Sequence, residues 1–214
     1  MYCPAHFEES RPEILLGLMA QHPLATVISS GHSGLVADHI PLMYEPEQGA
    51  AGKLIGHVAR SNPLWQTGPG AEHLLVFQGP SAYVSPNWYA SKAESGKVVP
   101  TWNYAVVHAH ATLAVSHDPA HIRAVLEKQT RRHEAEQRKP WALADAPEDF
   151  TERLLGLVVC IEFRIVRMQG KWKVSQNQGL ANRQGVIAGL QALQRDEASS
   201  MAGLVQAFGS PVAP

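Results

Sequence analysis

A succession of short strand-like runs, separated by turn residues, constrains this chain most. The runs are Leu24 to Ser29, Leu35 to Tyr44, Lys53 to Ala59, Glu72 to Gln78 and Ser81 to Ser85. Gly31 to Gly34, Glu45 to Gly52, Pro69-Gly70 and Gly79-Pro80 punctuate them. Strands at this spacing predict an antiparallel sheet or barrel. Thr101 to Ser116 and Val158 to Met168 read as two longer strands, and Gly170 reads as a tight turn into Lys171 to Ser175. Strands and helices do not alternate as a doubly wound fold requires.

Helices sit at the margins of this pattern. Ser10-Arg11-Pro12-Glu13 has the form of a capping box, with Ile14, Leu15, Leu18 and Met19 on one face, and His22-Pro23 ends that helix. Asp118 caps a second helix running to about Arg138, with Pro119 at its first position and Ile122, Val125 and Leu126 as its buried stripe. A short helix is expected over Pro147 to Leu155, and a last one carries Val186, Ile187, Leu190 and Leu193. The reading is a mainly β chain with peripheral helices: a single domain over 1–195, then a tail over 196–214 whose end, Ser210 to Pro214, frays.

Composition narrows the function classes. The chain has 214 residues, and its charged fraction of 17% is too low for a disordered, solvating chain. A chain of this length buries about 70% of its unfolded surface, enough for one sizeable core. Eighteen Lys and Arg stand against 19 Asp and Glu, without the basic excess of a protein held to nucleic acid by phosphate neutralisation. Cys3 and Cys160 make no disulfide framework, which fits a reducing compartment. No apolar run reaches membrane-spanning length and no signal peptide is visible, so a cytoplasmic protein is expected.

No G-x-G-x-x-G, Walker loop, H-E-x-x-H or G-x-S-x-G occurs. Four segments carry candidate chemistry. In Gly56 to Pro63 a strand runs into a helix start that Ser61 or Asn62 can cap, and Arg60 adds a planar fork. Together these make either a phosphate cradle or a capped helix with a surface ion pair. Ser85 to Lys92 and Gly96 to Tyr104 hold two Trp, two Tyr, two Asn and two Lys, suited either to a flat anionic ligand or to a loop pinned by aromatic packing. Lys171 to Asn177 closes over a ligand or leads into the last helix. Arg123, Lys128, Arg131, Arg132, Arg138 and Lys139 form a basic cluster with interleaved acids, read as a solvated helix face rather than a DNA contact. His108 and His110 share a strand face, without a Glu or Cys nearby to complete a metal site. No metal ligand is assigned and no catalytic residue is identified.

Several of these segments, in order along the chain, resemble the PaiB-type FMN-binding negative transcriptional regulators. They are Met1-Tyr2 with Pro4 and His6-Phe7, Ala37 to Leu42, Gly56 to Pro63, Val84 to Tyr89, Val99 to Tyr104 with Val107-His108, Ser175 to Asn177, and Gly185 to Leu190. The matches extend to about residue 195. The resemblance implies a six-stranded antiparallel FMN-binding split barrel that pairs into homodimers, with FMN as cofactor. By position it implies that His39, Ile40 and Pro41 line the isoalloxazine edge. His57, Val58, Arg60, Ser61 and Asn62 would hold the ribityl phosphate. Trp102, Asn103 and Tyr104, with Lys173 and Gln176, would complete the pocket, with a partner subunit as a source of contacts. Ala111 stands where the family usually has Gly. A regulatory role is expected, with direct DNA binding as one route to it. The alternatives are an FMN-dependent oxidoreductase or a haem-binding split-barrel protein.

Overall fold

A computed structural model describes residues 1–31, 34–67 and 70–208. Its strands are β1 (Glu8–Glu9), β2 (Leu24–Gly31), β3 (Gly34–Pro41), β4 (Met43–Glu45), β5 (Lys53–Ala59), β6 (Glu72–Val84), β7 (Thr101–Ser116) and β8 (Val158–Lys173). They form one sheet in the order β3-β2-β6-β7-β8-β5-β4, with β1 paired to β8. The helices are α1 (Pro12–Gln21), α2 (Ser91–Ser95), α3 (Pro119–Glu134), α4 (Glu148–Leu155), α5 (Leu180–Ala192) and α6 (Asp196–Ala207). The stretch beyond residue 195, expected as a tail, is therefore helical as far as Ala207. Parts of the turns expected at Gly31 to Gly34 and Pro69-Gly70, and Ser210 to Pro214, lie outside the described residues.

Among the described residues eight strands stand where six were expected. The run Leu35 to Tyr44 is two strands on different partners: β3 pairs antiparallel with β2, and β4 with β5. The change of partner falls after Leu42, whose N–H still donates to Pro23 O at 2.9 Å in register with the β2–β3 ladder, before Met43 pairs with Ile55. Conversely, two expected turns are strand interior, because β6 runs straight through Gly79-Pro80 and β8 through Gly170. Each glycine serves close approach instead. A Cβ on Gly79 would sit 2.8 Å from Leu18 Cδ1 and 3.1 Å from Ala105 O. A Cβ on Gly170 would sit 2.7 Å from Glu9 O and press into Leu15. The missing side chains let α1 and β1 lie on the strands.

The chain divides into two compact units. One comprises 1–18, 78–107 and the chain from Gln169 onward; the other comprises 19–77 and 108–168. In the second unit, β2 alternates as a half-buried strand should, with Ala25, Val27 and Ser29 inward. β5 pairs antiparallel with β8, His57 opposite Cys160. Met43, Ile55, Ile122, Val125, Leu155 and Cys160 form one apolar cluster, which seats α3 and α4 on these strands. Full burial of one such aliphatic side chain contributes about 1.5–3 kcal/mol. Asp118 caps α3 as expected, accepting from the Ala120 N–H at 3.1 Å. In the first unit, β1 pairs with β8, Glu8 opposite Lys171. The α5 and α6 helices bury Val186, Leu190, Met201 and Val205.

Two outcomes follow. Gly170→Ala places a methyl group against the Glu9 carbonyl, which moves only with β1. It is expected to lower stability by about 1–3 kcal/mol, as overpacking does, read as a shift in the denaturant midpoint. Burial pushes the Cys160 thiol up to about 11. Because the folded state keeps that proton longer than the unfolded state, stability is held below the ordinary thiol value and falls as pH rises from about 9 to about 11. Cys160→Ala should flatten that alkaline loss in unfolding curves taken across this range.

Candidate functional site

The first unit holds a cavity of about 270 Å³ built on the ends of β7 and β8. Strand alternation selects its walls. Thr101 and Asn103 line it, whereas Trp102, between them, lies on the other face of β7 and is exposed. From β8 comes Lys173, whose ammonium donates to the Thr101 hydroxyl. Lys97 adds a second cation, and among the described residues no carboxylate lines the cavity.

The floor is held by buried polar pairing. Asn103 is 1% exposed, and its side-chain N–H donates to the Ser175 hydroxyl at 2.9 Å. Ser175 is itself buried and adopts a left-handed conformation with φ 63°. That region is costly for a residue other than glycine and clusters at functional sites. Gln176 secures the turn: its amide oxygen accepts from the Val174 N–H at 2.8 Å, and its amide nitrogen donates to Trp172 O. On the opposite wall, Asn182 fixes Ser91, accepting from its N–H and donating to its hydroxyl, both at 3.0 Å. Tyr89 is buried, which raises its phenol above the usual tyrosine range.

The expected site residues thus separate. Asn103 and Lys173 share the cavity, and Gln176 shapes it from behind. Trp102 meets Tyr83 edge to face at 6.1 Å between centroids, and Tyr104 packs 5.2 Å from the Lys171 ammonium. Tyr89, Ser91, Lys97, Thr101, Ser175, Asn177 and Gln178 also line the cavity and were absent from the expected set. All but Gln178 belong to motif segments that the sequence reading singled out. Odd and even positions along β7 were the available signal for separating Asn103 from Trp102.

The remaining expected residues lie in the second unit. Ile40 and Val58 are core residues, while His39, Pro41 and Ser61 are exposed. His57 Nδ1 lies 2.9 Å from the Gln129 amide oxygen, and the Gln129 amide nitrogen donates to Pro41 O at 3.2 Å. Gln129 thereby fastens α3 to β5 and to the end of β3. Arg60 directs its fork at the backbone, donating from Nε to Gly156 O at 2.7 Å and from Nη2 to Val158 O at 3.1 Å. Its third nitrogen lies 3.3 Å from His117 Nδ1. Asn62 caps the single turn Pro63–Gln66 by accepting from the Leu64 N–H at 2.8 Å, and donates to Asp38 at 2.8 Å. The second unit's Arg60-Asn62 corner is thus already hydrogen-bonded within the protein.

The chain is similar to several known proteins. The family described as "Putative FMN-binding domain" matches residues 1–167. An uncharacterised protein of Emericella nidulans is 31% identical, covering 98% of each chain. "Protease synthase and sporulation protein PAI 2" of Bacillus subtilis is 28% identical over 96% of this chain and 97% of its own. Among solved structures, an FAD and haem binding protein from Mycobacterium smegmatis superposes with a TM-score of 0.53 at 16% identity, over 78% of this chain and 73% of that one. That likeness shows a shared fold, the split barrel, with eight strands rather than six in the sheet here. The family match over residues 1–167 and the relative aligned end to end place the chain in the FMN-binding domain family, with FMN as its cofactor.

Proposed function

We propose that the chain works as a homodimeric, cytoplasmic FMN-binding protein with a regulatory role, and that the first unit's cavity receives the phosphate and ribityl part of the flavin. One observation carries the placement: two lysines, hydroxyls and amides converge there, without a carboxylate among the described residues. An anion gains charge-assisted hydrogen bonds from such a set, and a polyol finds donors and acceptors. The volume lies just under the range of about 300–1,000 Å³ for pockets that enclose whole ligands, so it suits the flavin's polar arm rather than the entire molecule.

Lys173 and Lys97 would hold the phosphate, with Thr101 orienting the Lys173 ammonium. Ser91 and Asn103 would face the ribityl hydroxyls. Arg60 is read as a tie between the end of β5 and the 156–158 segment. When bound, FMN supplies one- and two-electron redox chemistry that no side chain here provides.

The dimer is supported by β3, an edge strand carrying exposed Leu35 and Val36. The name of the Bacillus relative supports the regulatory reading. The basic cluster favours a route other than direct DNA binding. Arg123 pairs with Glu152 at 2.5 Å, Lys128 with Glu45, and Arg132 donates to Ala20 O at 3.1 Å. The two free thiols suit a reducing compartment.

Flavin-fluorescence titration tests the placement. Lys173→Ala should weaken FMN by about tenfold or more while leaving riboflavin, which lacks the phosphate, unaffected. Equal loss of both ligands, or no loss of either, sinks the phosphate assignment. Arg60→Ala should lower the melting temperature and leave FMN affinity in place. For the dimer, Leu35→Glu should shift the sedimenting species to half the mass.

A further inference from the structure

Across β7 from the cationic cavity, the first unit carries a second pocket of about 430 Å³. Tyr83, Trp88 and Trp102 are its aromatic walls, and Leu193, Arg195 and Glu197 close it from the α5–α6 connection. Trp102 is 57% exposed and Tyr83 47%, so two large rings meet solvent here in edge-to-face contact. Trp88 is fixed from behind. A Cβ on Gly185 would overlap its carbonyl oxygen, and a Cβ on Gly189 would overlap its indole. The helix gives up two side chains, and the ring seats directly on it. Among the described residues, no hydrogen bond engages the Tyr83 hydroxyl or the Trp88 and Trp102 indole N–H groups. Arg195 and Glu197 make no described salt bridge.

We infer that this pocket is a binding slot for a flat aromatic carboxylate with a ring N–H, separate from the flavin phosphate seat. The aromatic walls accept a planar ring by offset or edge contact. The Arg195 guanidinium matches a carboxylate bidentately, and Glu197 accepts from the ring N–H. The charge pair at one end and the apolar body at the other give the ligand a single orientation. The two sites lie on opposite faces of one strand, Asn103 serving one and Trp102 the other. Neither ligand need displace the other.

Isothermal titration of the full chain, loaded with FMN, with indole-2-carboxylate as the probe tests this. Saturable binding is expected, about tenfold or more tighter than that of cyclohexanecarboxylate, which has the charge without the flat ring. Trp102→Leu, at an exposed position, should weaken the probe by about tenfold. Arg195→Gln should weaken indole-2-carboxylate and leave plain indole unchanged. Gly189→Ala should also weaken it by displacing Trp88, and if that variant does not fold, the two surface variants still decide the matter. Several results overturn the inference: no saturable binding, binding indifferent to Trp102→Leu and Arg195→Gln, or release of FMN by the probe, which would make the slot part of the flavin site. A Trp102→Leu chain that sediments at half the mass and never bound the probe would assign the face to a second copy.

Discussion

The first unit depends on backbone meeting backbone more closely than side chains allow. At Gly170 the carbonyl of Glu9 occupies the space a Cβ would need, and at Gly79 Leu18 and the Ala105 carbonyl do the same. These contacts lay β1 and α1 directly on β8 and β6. In the same unit, the far end of β8 delivers Lys173 to the cavity and the far end of β6 delivers Tyr83 to the aromatic pocket. Both pockets thus take walls from strands that run uninterrupted where a turn would have cut them short.

That is also where sequence reading and structure part. The strand pattern was readable because it depends on local alternation and β-branched residues, and α3 was readable from Asp118-Pro119 and the stripe of Ile122 and Val125, whereas α6 stands where a tail was expected. A glycine, however, has the same letter whether it supplies a turn or yields space to a distant neighbour. Glu9 is far from Gly170 in sequence, so no local signal could mark the difference. Leu42 shows the reverse case. One strand-like run hid a change of partner, because Leu42 still donates to Pro23 O in register with β2 before Met43 pairs with Ile55 on β5.

The site was readable as segments and not as a surface. The block Trp102-Asn103-Tyr104 was expected to complete one pocket, but a strand sends consecutive side chains to opposite faces. Asn103 went to the cationic cavity and Trp102 to the aromatic pocket. The left-handed backbone at Ser175 has no sequence signature. Arg60 was expected at the ribityl phosphate by type and position; its donation to carbonyls of the 156–158 segment is a contact that no local sequence signal marks.

The hydrogen bond between Asn103 and Ser175 joins residues 72 apart in sequence, and the cavity draws its walls from both neighbourhoods. The entropy of bringing these two stretches together is spent when the chain folds, not when a ligand arrives. A molecule in the cavity therefore acts as a clamp across a long loop, resisting any opening that separates the two ends. At a hundredfold excess over its dissociation constant it would add about 2.7 kcal/mol to the folded state. The occupied protein would then resist proteolysis and heat, so the supply of whatever ligand the cavity takes would help set how long each copy survives.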